Sequence, residues 1–269
     1  MAVNSSGEGC QELSGFGLPI LYLENEHIKL TQLRRANKLI KDEVERIMQT
    51  HSVTSLVYQD FLYRGRLSFL GRYLLSTGAQ AAPYFTQIID LSLSESDLYR
   101  QIRKSYKSLI NWGMKNLVLL VKDMTNIAPQ DIEDFRLLHF HAAGRKTRSQ
   151  RTWDLQYEMI RHKEAFVIEG KLEGELVTAA LFPYSTRYCF YGVSASKREL
   201  FSNPLSHAVI WRAMLYAKEQ GCNFFELPEQ HYPKQGTPVP TEKELSISTF
   251  KHGFGGETRV RLNMTWERT

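Results

Sequence analysis

The sequence predicts an α+β fold built on a mixed sheet flanked by helices. Three observations carry this. Stretches of helical and of strand periodicity follow one another along the chain, but not in the strict β-α alternation of a doubly wound sheet. Residues 164–196, "EAFVIEGKLEGELVTAALFPYSTRYCFYGVSAS", hold three apolar runs with turns at Gly170–Gly174 and Pro183–Thr186, the pattern of an antiparallel meander. The 269 residues are 42% hydrophobic and 23% charged, an average balance for a chain with a substantial core.

The elements follow in order. "LPILYLE" (18–24) reads as a strand. Residues 28–50 place Leu33, Ala36, Leu39, Ile40, Val44 and Ile47 at helical spacing. "VTSLVYQDF", "RLSFLGRYLLS" and "PYFTQIIDLS" read as three strands with glycine-bearing turns between them. Residues 94–115 form a helix capped by Ser94 or Ser96, with Ile102, Tyr106, Leu109 and Gly113 on one face. "NLVLLVK" (116–122) is a strand, 128–144 a helix ending at Gly144, and 151–163 a second helix. After the meander, 204–221 is a helix with proline near its start and glycine at its end. "CNFFELPE" (222–229) is a strand, a proline-rich loop covers 228–240, and a short helix (241–251), a glycine cluster and a last strand close the chain.

Composition narrows the function classes. No apolar run approaches the roughly 18 residues of a membrane span. The first residues lack the basic and apolar regions of a secretory signal, so the chain reads as cytoplasmic with a loose leader over 1–17. Cys10, Cys189 and Cys222 are odd in number and widely spaced, which gives neither a disulfide framework nor a cysteine zinc site. His139 and His141 lie two apart on a helix and face different directions, so no metal is expected. The net charge is +5 and the pI near 9.0, which fits an anionic ligand, a nucleic acid or a membrane surface.

The charge is clustered. Arg100, Arg103, Lys104, Lys107 and Lys115 stand without an acid among them on the 94–115 helix, a bias that points to phosphate as well as to a solvated face. "GRKTRSQR" (144–151) packs Arg145, Lys146, Arg148 and Arg151 into one inter-helix link, where arginine can grip an anion bidentately. Glu226 follows Phe224 and Phe225 on a strand and is a candidate general base, or a paired buried acid. His207 stands near a helix start, one turn before Trp211, and is a second candidate. "GVSAS" (192–196) falls one glycine short of a nucleophile elbow. In "STFKHGFGG" (248–256), Lys251 and His252 stand before Gly253, Gly255 and Gly256. The spacing matches no phosphate loop, and it allows either a helix stop before a strand, with Phe250 and Phe254 in the core, or an ammonium over an anionic substrate group.

Four stretches together carry a resemblance. "IDLSLSESDLYRQIRKSYKSLINWGMK", "AGRKTRSQRTWDLQYEMI", "YGVSAS…PLSHAVIWRAMLYAKEQGCNFFEL" and "STFKHGFGG" resemble the FemAB-like branch of the GNAT acyltransferase superfamily over about residues 85–260. The resemblance implies a GNAT-like mixed sheet split open between two central strands. It implies a reduced first half-domain with the basic helix over 18–115 and an acyltransferase domain over 116–269. It implies transfer of an acyl or aminoacyl group from acyl-CoA or aminoacyl-tRNA to an amine of a cell-envelope or surface-glycan precursor. The acceptor would be anionic, such as a nucleotide-sugar or peptidoglycan precursor. No permanently bound cofactor or covalent enzyme intermediate is implied, and the oligomeric state is left open.

On this resemblance Lys251 would stabilise developing negative charge, with Phe250 and Phe254 excluding water and Trp211 beside the substrate. Arg145, Arg148, Arg103 and Lys104 would hold anionic substrate groups. Glu226 or His207 would collect the amine proton, and Tyr191 could protonate the leaving group. The chain departs from acyl-CoA-using members at "SKRELFSNPLSHAVI", which has no glycine and whose Pro204 offers no N–H to a pyrophosphate. The rival class is a non-enzymatic module in which the same basic stretches grip RNA or an anionic membrane.

Overall fold

The computed structural model describes residues 2–6, 10–14, 20–21, 29–62, 65–235 and 239–268. The chain forms two compact units, one of Met1–Thr86 with Arg259–Thr269, the other of Gln87–Thr258.

In the first unit β1 (Ala2–Ser6) pairs antiparallel with β2 (Cys10–Ser14), and β2 lies parallel to β4 (Ser55–Asp60), as does β3 (Ile20–Leu21). The stretch read as a leader thus contains two described strands, and Leu13 is buried. Of the strand read over 18–24, only residues 20–21 fall among the described ones. On its other edge β4 pairs antiparallel with β12 (Glu257–Glu267), Tyr58 opposite Met264. Helix α1 (Leu30–Thr50) buries Val44 and packs Ile40, Ile47 and Met48 into a core with Leu56, Tyr58 and Met264.

One reading from periodicity is corrected here. "RLSFLGRYLLS" is not a strand but carries helix α2, Phe69–Ser76. Leu70 and Leu74, one turn apart, are its buried residues on the core side. Ser68 caps it by accepting from Gly71 N–H at 2.9 Å, and Asp60 holds Ser68 in place by accepting from its N–H and its hydroxyl. Strand β5 (Gln80–Asp90) follows, as the sequence indicates.

In the second unit the 94–115 helix is two helices, α3 (Glu95–Gln101) and α4 (Lys104–Asn116). The break has a tertiary cause: Ile102 is extended, and Arg103 N–H donates to Gly253 O at 2.9 Å instead of to its own helix. Strands β6 (Val118–Lys122), β7 (Ala165–Leu172) and β8 (Glu175–Pro183) form an antiparallel sheet. Helices α5 (Pro129–Ala143) and α6 (Gln150–Arg161) cover one face through Phe135, Trp153, Val167 and Leu181. Alternate β7 residues, Phe166 and Ile168, face α4 and α7 (Leu205–Glu219). Helices α4 and α7 cross closely: a Cβ on Gly113 would lie 2.5 Å from that of Ala208.

The meander reading holds for two strands and fails for the third. Residues 188–196 divide into β9 (Tyr188–Phe190), which runs parallel to β11 (Phe224–Gln230), and β10 (Ser194–Ser196), which pairs with β8. Helix α8 (Glu242–His252), opened by a Thr241–Glu244 capping box, then leads into the glycine cluster.

Candidate functional site

The site forms where the sheet of the second unit parts. Tyr191 N–H still donates to Glu226 O of β11 at 2.9 Å, but Gly192 N–H donates to Leu181 O of β8. The chain passes here from the sheet of β9 and β11 to the sheet of β8 and β10. β10 ends at Ser196, and a connection containing a short 3-10 turn, Arg198–Leu200, leads to α7. A hydroxyl chain runs along it, Thr178 Oγ1 to Ser196 Oγ at 2.8 Å and Ser196 Oγ to Ser206 Oγ at 3.2 Å.

On the β11 side stands Lys251, from the last turn of α8. Its side chain is buried, 7% exposed. Nζ donates to Pro228 O and, at 3.4 Å, to Glu229 O, where Glu229 adopts a left-handed φ of 57°. Burial lowers its pKa, and nearby Glu229 opposes this. An ammonium has three donors, so one remains after these two carbonyls.

Beside Lys251 four rings close together. Tyr106 and His207 are 4.6 Å apart edge to face, His207 and Phe250 5.1 Å, Tyr106 and Phe254 5.4 Å, and Phe250 and Phe254 5.3 Å. Among the described residues His207 Nδ1 is buried with no hydrogen-bond partner. Burial pushes the His207 pKa down to about 4, so the imidazole is neutral at pH 7. Gly253 packs flat on the Tyr106 ring, and a Cβ there would come within 2.2 Å of it.

The other predicted residues are distributed as follows. Arg103 joins this group: its guanidinium stacks 5.0 Å from the Tyr106 ring centroid and donates to Thr249 O at 3.3 Å. Lys104 is exposed at the start of α4. Trp211 is buried and meets Tyr99 edge-on at 5.4 Å. Glu226 is buried, and its Oε2 accepts from the Tyr188 hydroxyl at 2.7 Å. Strand alternation sets Glu226 on the face of β11 away from Phe225 and Leu227, which share the α7 core. The Tyr191 hydroxyl donates to Ser194 Oγ at 2.7 Å, and burial raises its pKa. Arg145 is exposed, whereas Arg148 Nη1 donates to His139 Nε2 at 2.9 Å. That bond needs a neutral His139, and burial followed by the Arg148 charge keeps its pKa low. Both arginines belong to the α5–α6 layer rather than to α7 and α8. Tyr106 and the Thr178–Ser196–Ser206 chain escape the sequence reading, which treats Tyr106 as one face residue of a helix. Among the described residues no three His, Cys, Asp or Glu side chains are placed to hold a metal ion.

The buried neutral His207 makes stability depend on pH. Its folded pKa of about 4 lies below the ordinary 6.5, so its contribution is complete above pH 6.5 and is lost as the pH falls toward 4. Denaturation midpoints should therefore drop less between pH 7 and about 4.5 in His207→Phe than in the parent. Parallel curves would show that His207 is not desolvated in solution.

No family model and no curated protein sequence matches the chain. Solved structures do. FemX superposes with a TM-score of 0.69 at 12% identity, over 88% of this chain and 78% of that one. L-PGS from Bacillus licheniformis gives 0.62 at 15% identity, over 87% and 74%. A tandem GNAT protein from the clavulanic acid biosynthesis pathway gives 0.52 at 14% identity, over 86% and 69%. The chain therefore has the FemAB-like, GNAT-type fold.

Proposed function

We propose that the chain is an acyltransferase that moves an acyl or aminoacyl group from acyl-CoA or aminoacyl-tRNA to an amine of an anionic cell-envelope or surface-glycan precursor. The observation that carries this reading is the buried Lys251 ammonium at the parting of the strands, fixed by two carbonyls with one donor to spare. The resemblance of the chain to acyl-group transferases in fold supports it.

The amine nitrogen attacks the ester or thioester carbonyl directly. The carbonyl oxygen gains negative charge, and the third N–H of Lys251 receives it. A preorganised donor of this kind contributes about 3–4 kcal/mol to the transition state. Phe250, Phe254 and Tyr106 keep water out, which strengthens that interaction. The tetrahedral species then expels the carrier's oxygen or sulfur, and the amine proton follows to the leaving group. We assign the amine proton to His207, which is neutral at working pH and whose ring lies 5.1 Å from that of Phe250. Glu226 faces the other way, and Tyr191 would have to release Ser194 before protonating a leaving group. Arg103 lies at the rim and suits an anionic substrate group. Arg145 and Arg148 would serve only an acceptor long enough to reach the α5–α6 link.

Native mass spectrometry of the freshly purified protein tests the reading. A co-purified thioester or an aminoacyl-tRNA is the expected result, and it chooses between the two carriers. Failure of both carriers to acylate any envelope-precursor amine in vitro would overturn it.

A further inference from the structure

We infer that the first half of α1 is a docking surface for an anionic lipid membrane. This goes beyond the acyl-transfer reading and does not depend on it. Residues 29–41 contain Lys29, Arg34, Arg35, Lys38 and Lys41 and no acid. Lys41 is paired with Glu45 at 3.6 Å. Lys29, Arg34, Arg35 and Lys38 are exposed, and among the described residues none of their side chains has an ion pair, hydrogen bond or ring contact. The opposite face of the helix is committed: Ile40, Val44, Ile47 and Met48 pack into the first unit's core.

The exposed face is not only cationic. Leu30 is 62% exposed and Leu39 60%. Leu30, Arg34 and Lys38 follow one i, i+4 ridge, and Arg35 and Leu39 share the neighbouring one. Each ridge thus carries cations and a bare leucine. That combination selects among polyanions. Guanidinium groups pair with lipid phosphates as well as with RNA phosphates. The leucines gain nothing from RNA, which needs aromatic side chains to stack its bases, and Lys29–Leu39 contains none. At a bilayer surface the leucines leave water for the acyl boundary while the cations meet the headgroups. Among the described residues no helix is long and apolar enough to cross the membrane.

Sedimentation of the whole chain with vesicles tests this. It should bind phosphatidylcholine vesicles containing about one third phosphatidylglycerol, and not pure phosphatidylcholine, with binding lost at high salt. Each neutralised cation should weaken binding about fivefold, so Arg34→Gln/Arg35→Gln/Lys38→Gln should lose about a hundredfold. Leu39→Ser should lose several-fold at unchanged salt dependence. Lys104→Gln/Lys107→Gln on α4 should bind like the parent. Lys107 is half-buried over the Tyr99 ring and the other positions are exposed, and circular dichroism verifies that the variants fold. The inference is overturned if the triple variant binds anionic vesicles like the parent, if the α4 pair loses as much as the α1 variant, if neutral vesicles bind equally, or if the α1 variant loses tRNA binding in a gel shift while vesicles never bind.

Discussion

Replacing Lys251 by methionine is expected to lower turnover at least about a hundredfold, the loss typical of a missing oxyanion donor. Methionine fills the channel of the lysine stem but carries no charge and no donor. The substitution also strips the Pro228 and Glu229 carbonyls of their shared partner. Losing hydrogen bonds from a charged donor costs about 1–3 kcal/mol, so the variant should melt earlier and yet be folded at assay temperature. The two effects separate experimentally. A purely structural lysine would reduce activity only in proportion to the unfolded fraction, which urea titration measures. A lysine that receives the developing charge reduces kcat in the fully folded protein, with little change in KM for the carrier. Turnover per folded molecule equal to that of the parent would remove Lys251 from the chemistry.

Most of the fold was legible because most elements declare their own period. Helices α1, α5, α6 and α7 show helical spacing over three turns or more, and β6, β7 and β8 are apolar runs bounded by turn residues. Failures came where the deciding partner lies far away in sequence. Helix α2 is eight residues long, too short for its apolar residues to distinguish one period from another. Apolar character alone could not say that β9 pairs with β11 while β10 stays with β8. The break between α3 and α4 depends on a hydrogen bond to Gly253, and nothing near Arg103 in sequence signals it. The site divides in the same way. Lys251, Phe250, Phe254 and His207 are readable from the closing motif and a helix start, and the structure brings the rings of Phe250, Phe254 and His207 together. Tyr106 was not, because its importance comes from the ring it lays against Gly253 and His207. Trp211, set beside the substrate by the resemblance alone, is buried and meets Tyr99 edge-on.

The glycine cluster, open to two readings in sequence, leads to the second large effect: Gly256→Ala should destabilise the second unit by on the order of 3 kcal/mol or more. Two terms add. Gly256 has a φ of 82°, where a side chain is strained by about 1–3 kcal/mol. A Cβ there would also stand 2.3 Å from Ile88 O and 2.8 Å from Ile89 Cγ1. Ile88 O belongs to the backbone of β5 and cannot rotate away. Gly253 makes the useful contrast. Its φ is −66°, ordinary for any residue, and its obstacle is the Tyr106 ring. Truncating Tyr106 to Ala should therefore relieve most of the cost of Gly253→Ala, whereas truncating Ile89 to Ala should leave most of the cost of Gly256→Ala in place. Denaturant unfolding of the four single variants and the two doubles measures both statements. A Gly256→Ala change below about 1 kcal/mol would mean that the chain after α8 can move away from β5. The turn that ends α8 would then not be what fixes Lys251, and the hold on its ammonium would rest on the Pro228 and Glu229 carbonyls alone.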